Sequence, residues 1–189
     1  MYTRNASEQC ERGPVVVSLA SPEDALAIVK IQAEVWLQTY PNEALGITKE
    51  DILAKNLANP LRAERWRKTI ESTDKGYRVW VAKDGGDVIG YCLAKRGEQE
   101  NYVDALYLLA EYQGKGVAQQ LMTEALAWLG SAKPIGLGVV TYNARAIAFY
   151  RKLGFRESTE SPEPVPPLPS GKILPVVKMI KRAEGSDTI

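Results

Sequence analysis

Residues 103–129, VDALYLLAEYQGKGVAQQLMTEALAWL, constrain the fold of this chain more than any other stretch. The segment 103–109 is apolar and aromatic, the make-up of a buried strand. Residues 110–115 are short and polar and hold Gly114. From Gly116 the spacing turns helical. Val117, Leu121, Ala125 and Leu129 fall four apart, with Ala118, Met122 and Leu126 beside them, and Gln119, Gln120, Thr123 and Glu124 fill the other face. The stretch therefore reads strand, glycine turn, helix. Without a Cβ, Gly114 and Gly116 let the backbone come close to a ligand. The first N–H groups of the helix have no partner inside it and stand at the positive end of its dipole, a setting that suits a phosphate. The two glycines mark a candidate pyrophosphate cradle, and a tight turn with no ligand explains them as well. Two familiar phosphate loops fail here. No lysine follows a glycine at P-loop spacing with Ser or Thr after it, and the G-x-G-x-x-G fingerprint breaks at Gln119.

A chain of 189 residues has the length of one domain with a substantial core. Its net charge of +1 calls for neither nucleic acid nor an anionic membrane as partner. No apolar run reaches the length of a membrane span, and the N-terminus lacks the apolar core of a signal peptide. Cys10 and Cys92 have no metal or redox spacing, so a reduced, cytoplasmic setting is the simplest expectation. The absence of histidine removes Ser-His-Asp and Cys-His nucleophile systems and the usual histidine-rich zinc sites. Acid–base work falls to Glu, Asp, Tyr, Lys, Cys or water.

Taken in order, residues 1–14 are polar and unpatterned, which predicts a mobile N-terminal segment. A first strand covers 15–19. Ser21 and Pro22 open a helix that runs to about Thr39, with Ala25, Ile28, Val29, Gln32, Val35 and Trp36 on its inner face and Glu34 one position off that stripe. Thr48 and Asp51 cap a second helix that ends near 59–60, and a third run covers 61–72. Segments 77–83 and 88–94 alternate as strands around Asp84-Gly85-Gly86-Asp87, a hairpin. After the central helix, 135–141 is a strand with two glycines, which weaken a strand or mark a close backbone approach. Asn143 N-caps a helix stopped by Gly154, and within it Tyr150 follows Ile147 and Ala146 at core spacing. The prolines of 160–170 exclude a helix interior or central strand; their P-x-x-P spacings fit a rigid loop or an SH3-type ligand. A last strand covers 172–181, with Pro175 at an edge or bulge, and 182–189 is a tail.

Gln113-Gly114-Lys115-Gly116-Val117-Ala118 resembles the Q/R-x-x-G-x-G/A signature of the GNAT superfamily of N-acetyltransferases, and it sits between the required strand and helix. Residues 143–155, NARAIAFYRKLGF, resemble that family's second segment, N-x-x-A-x-x-x-Y-x-x-x-G-F. The resemblance covers about 15–181, with its specific motifs confined to 106–155. It implies an α/β fold: one domain over 15–181, with a mixed, mostly antiparallel central sheet flanked by helices and central strands splayed to hold acetyl-CoA. It implies acetyl transfer from acetyl-CoA to an amine, directly in one ternary complex and without a metal. The acceptor is a small-molecule amine or a protein N-terminus, and family members are often homodimers. A non-catalytic acyl-CoA-binding module of the same fold is the alternative.

By the same resemblance the cofactor lies against Gln113, Gly114, Lys115, Gly116, Val117, Ala118 and Gln119. Its pantetheine arm pairs with the edge Leu106-Tyr107-Leu108 and contacts Asn143. Glu34, Trp36 and Tyr40 are candidates for the acceptor wall. Acidic residues around the front helices (Glu34, Glu43, Glu50, Asp51) fit a cationic acceptor or a solvated helix face. The chemistry sets its own demands. An amine with a pKa of about 10.4 must lose a proton before it attacks, the oxyanion needs backbone donors and the departing thiolate needs a proton. Tyr150 is the candidate general acid toward the sulfur, and the Leu108 N–H the candidate oxyanion donor. The glutamate that many relatives carry after the central helix is Gly138 here. Asp104, Glu34 and Glu100 remain as bases, with Asp104 first, and a water chain is equally open.

Overall fold

A computed structural model of the chain describes residues 14–72, 76–162 and 164–185. The N-terminal segment expected to be mobile lies outside the described residues up to position 13, Cys10 included, as does the tail from 186. In chain order the elements are β1 (Val16–Leu19), α1 (Ala25–Thr39), α2 (Lys49–Ala54), α3 (Arg62–Glu71), β2 (Tyr77–Asp84) and β3 (Asp87–Lys95). There follow β4 (Asn101–Leu108), α4 (Val117–Leu129), β5 (Ile135–Val140), α5 (Ala144–Lys152), β6 (Arg156–Glu157) and β7 (Val176–Lys181). The seven strands form one sheet in the order β1-β2-β3-β4-β5-β7-β6. Every neighbouring pair is antiparallel except β4–β5. This is the mixed α/β architecture expected.

Both faces of the sheet are covered, which explains why the central strands read as near-continuous apolar runs. On one face α4 and α5 pack Leu121, Met122, Ala125, Ile147 and Tyr150 onto Trp80, Cys92 and Leu108. On the other, α1 and α3 pack Ile28, Val29, Val35 and Ile70 onto Val79, Val81 and Tyr91. Alternate residues of one strand thus serve opposite cores.

Local signals hold where they were strongest. Thr48 and Asp51 form a reciprocal box: the Thr48 N–H donates to Asp51 Oδ2 at 2.8 Å and the Asp51 N–H to Thr48 Oγ1 at 3.2 Å. The helix it opens stops at Ala54, earlier than spacing predicts, because Asn56 takes a positive φ of 49°. The last strand begins at Val176 rather than 172. Pro175 has no N–H to give the ladder, and the residues before it turn inward instead, burying Leu168 and Leu174 against Ile47, Ile52 and Val140. The proline segment is therefore a docked loop. Lys172 staples it, donating to Asp51 Oδ2 at 2.9 Å and to the Gly46 carbonyl. That ammonium, with the Thr48 N–H, holds the Asp51 carboxyl well below the usual carboxylate range.

Candidate active site

β4 and β5 pair only at their beginnings, Asn101 with Ile135 and Tyr102 with Gly136. Beyond that point a cleft separates residues 103–108 from 137–140. The other edges of both strands are occupied, by β3 and by β7. The Leu109 N–H donates to the Ile89 carbonyl at 3.0 Å. By alternation the backbone groups of Tyr107 and Ala105 face β3, and those of Leu106 and Leu108 face the cleft. The Leu108 carbonyl meets a side-chain donor there, Gln113 Nε2, at 3.0 Å.

One half of the cleft, about 720 Å³, lies toward α4 and α5. Gly114 and Gly116 both adopt left-handed φ, 81° and 82°, and a Cβ on either would meet nothing within 4 Å. Gly116 caps α4 and its carbonyl first accepts from the Gln120 N–H, at 3.1 Å, so the N–H groups before Gln120 have no partner within the helix. Arg145 of α5 donates to Gln113 Oε1 and lines the same space, adding a cation beside the helix N-terminus. Asn143 Oδ1 accepts from the Ala146 N–H at 3.1 Å, which caps α5 and leaves the amide NH₂ for other partners. Tyr150 is 8% exposed, meets Phe149 and Phe155 edge-on, and also lines this half. Burial, reinforced by Cys92 and Tyr107, pushes its phenol far above the ordinary value.

The other half, about 600 Å³, is walled by α1, the end of α2, β7 and the proline loop. Trp36, Tyr40, Lys55, Pro164, Pro166 and Lys178 line it. The Trp36 Nε1–H donates to Tyr107 Oη at 2.9 Å, Tyr40 Oη lies 3.4 Å from the same oxygen, and the Tyr142 hydroxyl donates to the Tyr40 carbonyl at 2.7 Å. Tyr40, Val103, Asp104, Tyr107, Gly138 and Val140 border both halves, so the two meet through the opening between β4 and β5.

Of the residues singled out from the sequence, Leu106, Tyr107, Leu108, Gln113, Gly114, Gly116, Ala118, Gln119, Asn143 and Tyr150 border the first half, Trp36 the second, and Asp104 and Tyr40 the junction. The side chains of four others lie off the cleft, which corrects Glu34 as acceptor wall and Glu34 and Glu100 as bases. Glu34 is exposed, accepts from Gln38 Nε2 at 3.1 Å and lines neither half, because it stands off the buried stripe of α1. Val117 is 3% exposed with its side chain in the core, and Lys115 turns its Nζ over the Tyr112 ring, so at these two positions it is the backbone and not the side chain that stands at the glycine turn. Glu100 is tied to Lys178 at 2.8 Å, with its other oxygen buried against Gly136, and does not line the cleft either. Sequence reasoning missed Lys55, Arg145 and Lys178. Arg145, two residues past the helix cap, carried a local signal; the other two come from remote elements.

The single parallel strand pair opens beside a glycine-capped helix N-terminus, the splayed-strand arrangement that the resemblance implies. The chain belongs to the Acetyltransferase (GNAT) family, whose model matches residues 36–155. It is 37% identical over 127 residues to an uncharacterized N-acetyltransferase of Mycobacterium bovis, covering 66% of this chain and 80% of the relative. Its fold is similar to that of the PaiA N-acetyltransferase of Thermoplasma acidophilum, solved with coenzyme A, at a TM-score of 0.72 and 20% identity over 90% of this chain and 99% of that one. It is also similar to a phosphinothricin acetyltransferase of Sinorhizobium meliloti, solved with AcCoA, at a TM-score of 0.63 and 23% identity over 93% and 92% of the two chains. Among the described residues no helix is long and apolar enough to cross a membrane.

Proposed function

We propose that this protein is an N-acetyltransferase that moves an acetyl group from acetyl-CoA to an amine directly, with both substrates bound together. The observation that carries this reading is the opening between β4 and β5, which joins a phosphate-suited helix N-terminus to a separate cavity large enough for an acceptor. The cradle fits a pyrophosphate because the space over Gly114 and Gly116 is open, and the strand edge fits an amide-bearing arm because the Leu106 and Leu108 backbone groups face it.

Acetyl-CoA supplies the activated acyl group and a thiolate that can leave. The N–H groups at the start of α4, with Arg145, bind the phosphates. Asn143 offers its remaining amide protons to the arm. The Leu108 N–H faces the cleft, where it donates to the carbonyl oxygen as negative charge gathers there. Tyr150 stays protonated at neutral pH. A phenol held above about 10 is a weaker acid than a thiol of about 8.5, so Tyr150 stabilises the sulfur chiefly by donating a hydrogen bond. Asp104, at the junction, accepts the amine's proton. No cysteine of the described residues lines the cleft, since Cys92 is wholly buried, which favours direct transfer over an acyl-enzyme.

Gly138 favours a second reading, a non-catalytic acyl-CoA-binding module, because the carboxylate of many relatives is absent there. CoA-thiol release from acetyl-CoA across amines, polyamines, aminoglycosides and N-terminal peptides separates the two. Release with one class supports the transferase; acetyl-CoA binding without release from any supports the module.

A further inference from the structure

Among the described residues three lysines line the cleft, Lys152 in the cofactor half and Lys55 and Lys178 in the acceptor half. Lys152 is exposed. Lys178 is held by Glu100 at 2.8 Å and Glu160 at 2.6 Å, and both carboxylates raise its ammonium above the ordinary lysine value, so it stays charged. Lys55 is placed differently. It caps the end of α2, and its half-buried side chain carries Nζ to 5.4 Å from the Trp36 ring centroid. The Nε1–H of that ring donates to Tyr107 Oη at 2.9 Å, and Tyr107 borders both halves of the cleft. The amine of Lys55 thus lies against a ring that is itself bonded to the junction.

A lysine attacks an acyl carbon only as the free amine. Burial and the neighbouring Arg62 both hold the Lys55 amine below its ordinary value. Partial desolvation beside a second cation is the setting in which a lysine becomes a nucleophile. The lysine of the acceptor cavity that gives up its proton more readily is therefore Lys55, and it stands where an external amine would bind. A lysine stem is flexible, so turning off the Trp36 face carries Nζ toward the opening.

We propose that Lys55 is a self-acetylation site, its Nζ taking the acetyl group from acetyl-CoA bound in the same molecule. This rests on the transferase reading for the place of acetyl-CoA, and on the cavity for the place of the lysine. The neutral Nζ forms a bond to the thioester carbon, the carbon–sulfur bond breaks, and the proton that the nitrogen sheds ends on the departing thiolate. The products are an acetylated Lys55 and CoA. The new amide carries no charge, so the modification removes a cation from the acceptor wall.

The test incubates the full chain with isotope-labelled acetyl-CoA and no added amine, and maps the label by mass spectrometry of its peptides. Expected is label on Lys55, gained about tenfold or more faster than on any other lysine, because a group held in the same molecule acts at high effective concentration. The rate per molecule should not change with protein concentration, and excess CoA, which competes for the cofactor half, should suppress it. Label spread evenly over the lysines, a rate that rises with protein concentration, or labelling of Lys55 that excess CoA leaves unchanged would overturn the assignment. CoA release to the amines named above is followed alongside. Release to an added amine with Lys55 unlabelled removes the self-acetylation site and leaves the transferase reading. Label on Lys55 without release to any added amine keeps the site, and transfer to neither, with acetyl-CoA bound, removes the transferase reading as well.

Discussion

Gly116 offers the sharpest separation of binding from folding. Its φ of 82° lies in the left-handed region, where a non-glycine residue costs about 1–2 kcal/mol. A Cβ there meets nothing within 4 Å, so no clash is added. Gly116→Ala and Gly116→Trp should therefore lose similar stability, a Tm fall of about 2–8 °C for a chain of this size. Their acetyl-CoA affinities should part. The methyl group narrows the cradle, whereas the indole fills it and displaces the pyrophosphate from the helix N–H groups. Losing a single hydrogen bond to a charged group, about 1.5–3 kcal/mol, weakens binding roughly 10- to 100-fold. The tryptophan variant should lose at least that. Gly85, with φ 59° and equally open space in the β2–β3 turn, is the control. Gly85→Ala should show the stability loss and keep the affinity. Calorimetric titration with acetyl-CoA, alongside thermal unfolding, reads both. A folded Gly116→Trp protein with unchanged affinity refutes the cradle.

Tyr150→Phe should keep acetyl-CoA binding and slow turnover roughly 10- to 100-fold, below the roughly 100- to 10,000-fold of acid–base groups because the phenol acts as a hydrogen-bond donor; equal rates would leave Tyr150 a core residue only. Tyr91 buries its hydroxyl with no partner among the described residues, so Tyr91→Phe should stabilise the fold by about 1 kcal/mol in urea unfolding, and a lower midpoint would show that the hydroxyl is satisfied. Burial raises the phenols of Tyr40, Tyr91, Tyr107 and Tyr150. Each binds its proton more tightly folded than unfolded, so their contribution is intact below about pH 10 and lost as pH rises from there toward the folded values. Urea midpoints between pH 8 and 11 should be flat and then fall, less steeply in Tyr91→Phe.

Much of the cofactor half was legible because its determinants are local. Gly114, Gly116, Asn143 and Tyr150 lie within two short segments whose turn, cap and helical spacing can be read residue by residue. The acceptor half was legible only in Trp36, Tyr40 and Asp104. Lys55, Pro164 and Lys178 come from three remote parts of the chain, and no local pattern shows that they meet or that Lys178 holds two carboxylates. Glu34 misled for a related reason. It neighbours Val35 and Trp36 in sequence, yet one helical step of about 100° turns it to solvent. The proline segment fitted a rigid loop or an SH3-type ligand by its spacing alone, and Leu168, Leu174 and the Lys172 staple hold it as a loop on the body of the protein.

The amino-acid sequence by itself determined the elements and the phosphate-suited turn, since periodicity, caps and glycine conformations depend on neighbours a few residues away. The tertiary structure alone decided that β4 and β5 part after Tyr102, that the cavity beyond them is walled by the proline loop, and that Lys178 meets Glu100 and Glu160 in that wall. Those outcomes depend on long-range pairing and burial, where a side chain's partner is set by the fold and not by its place in the chain.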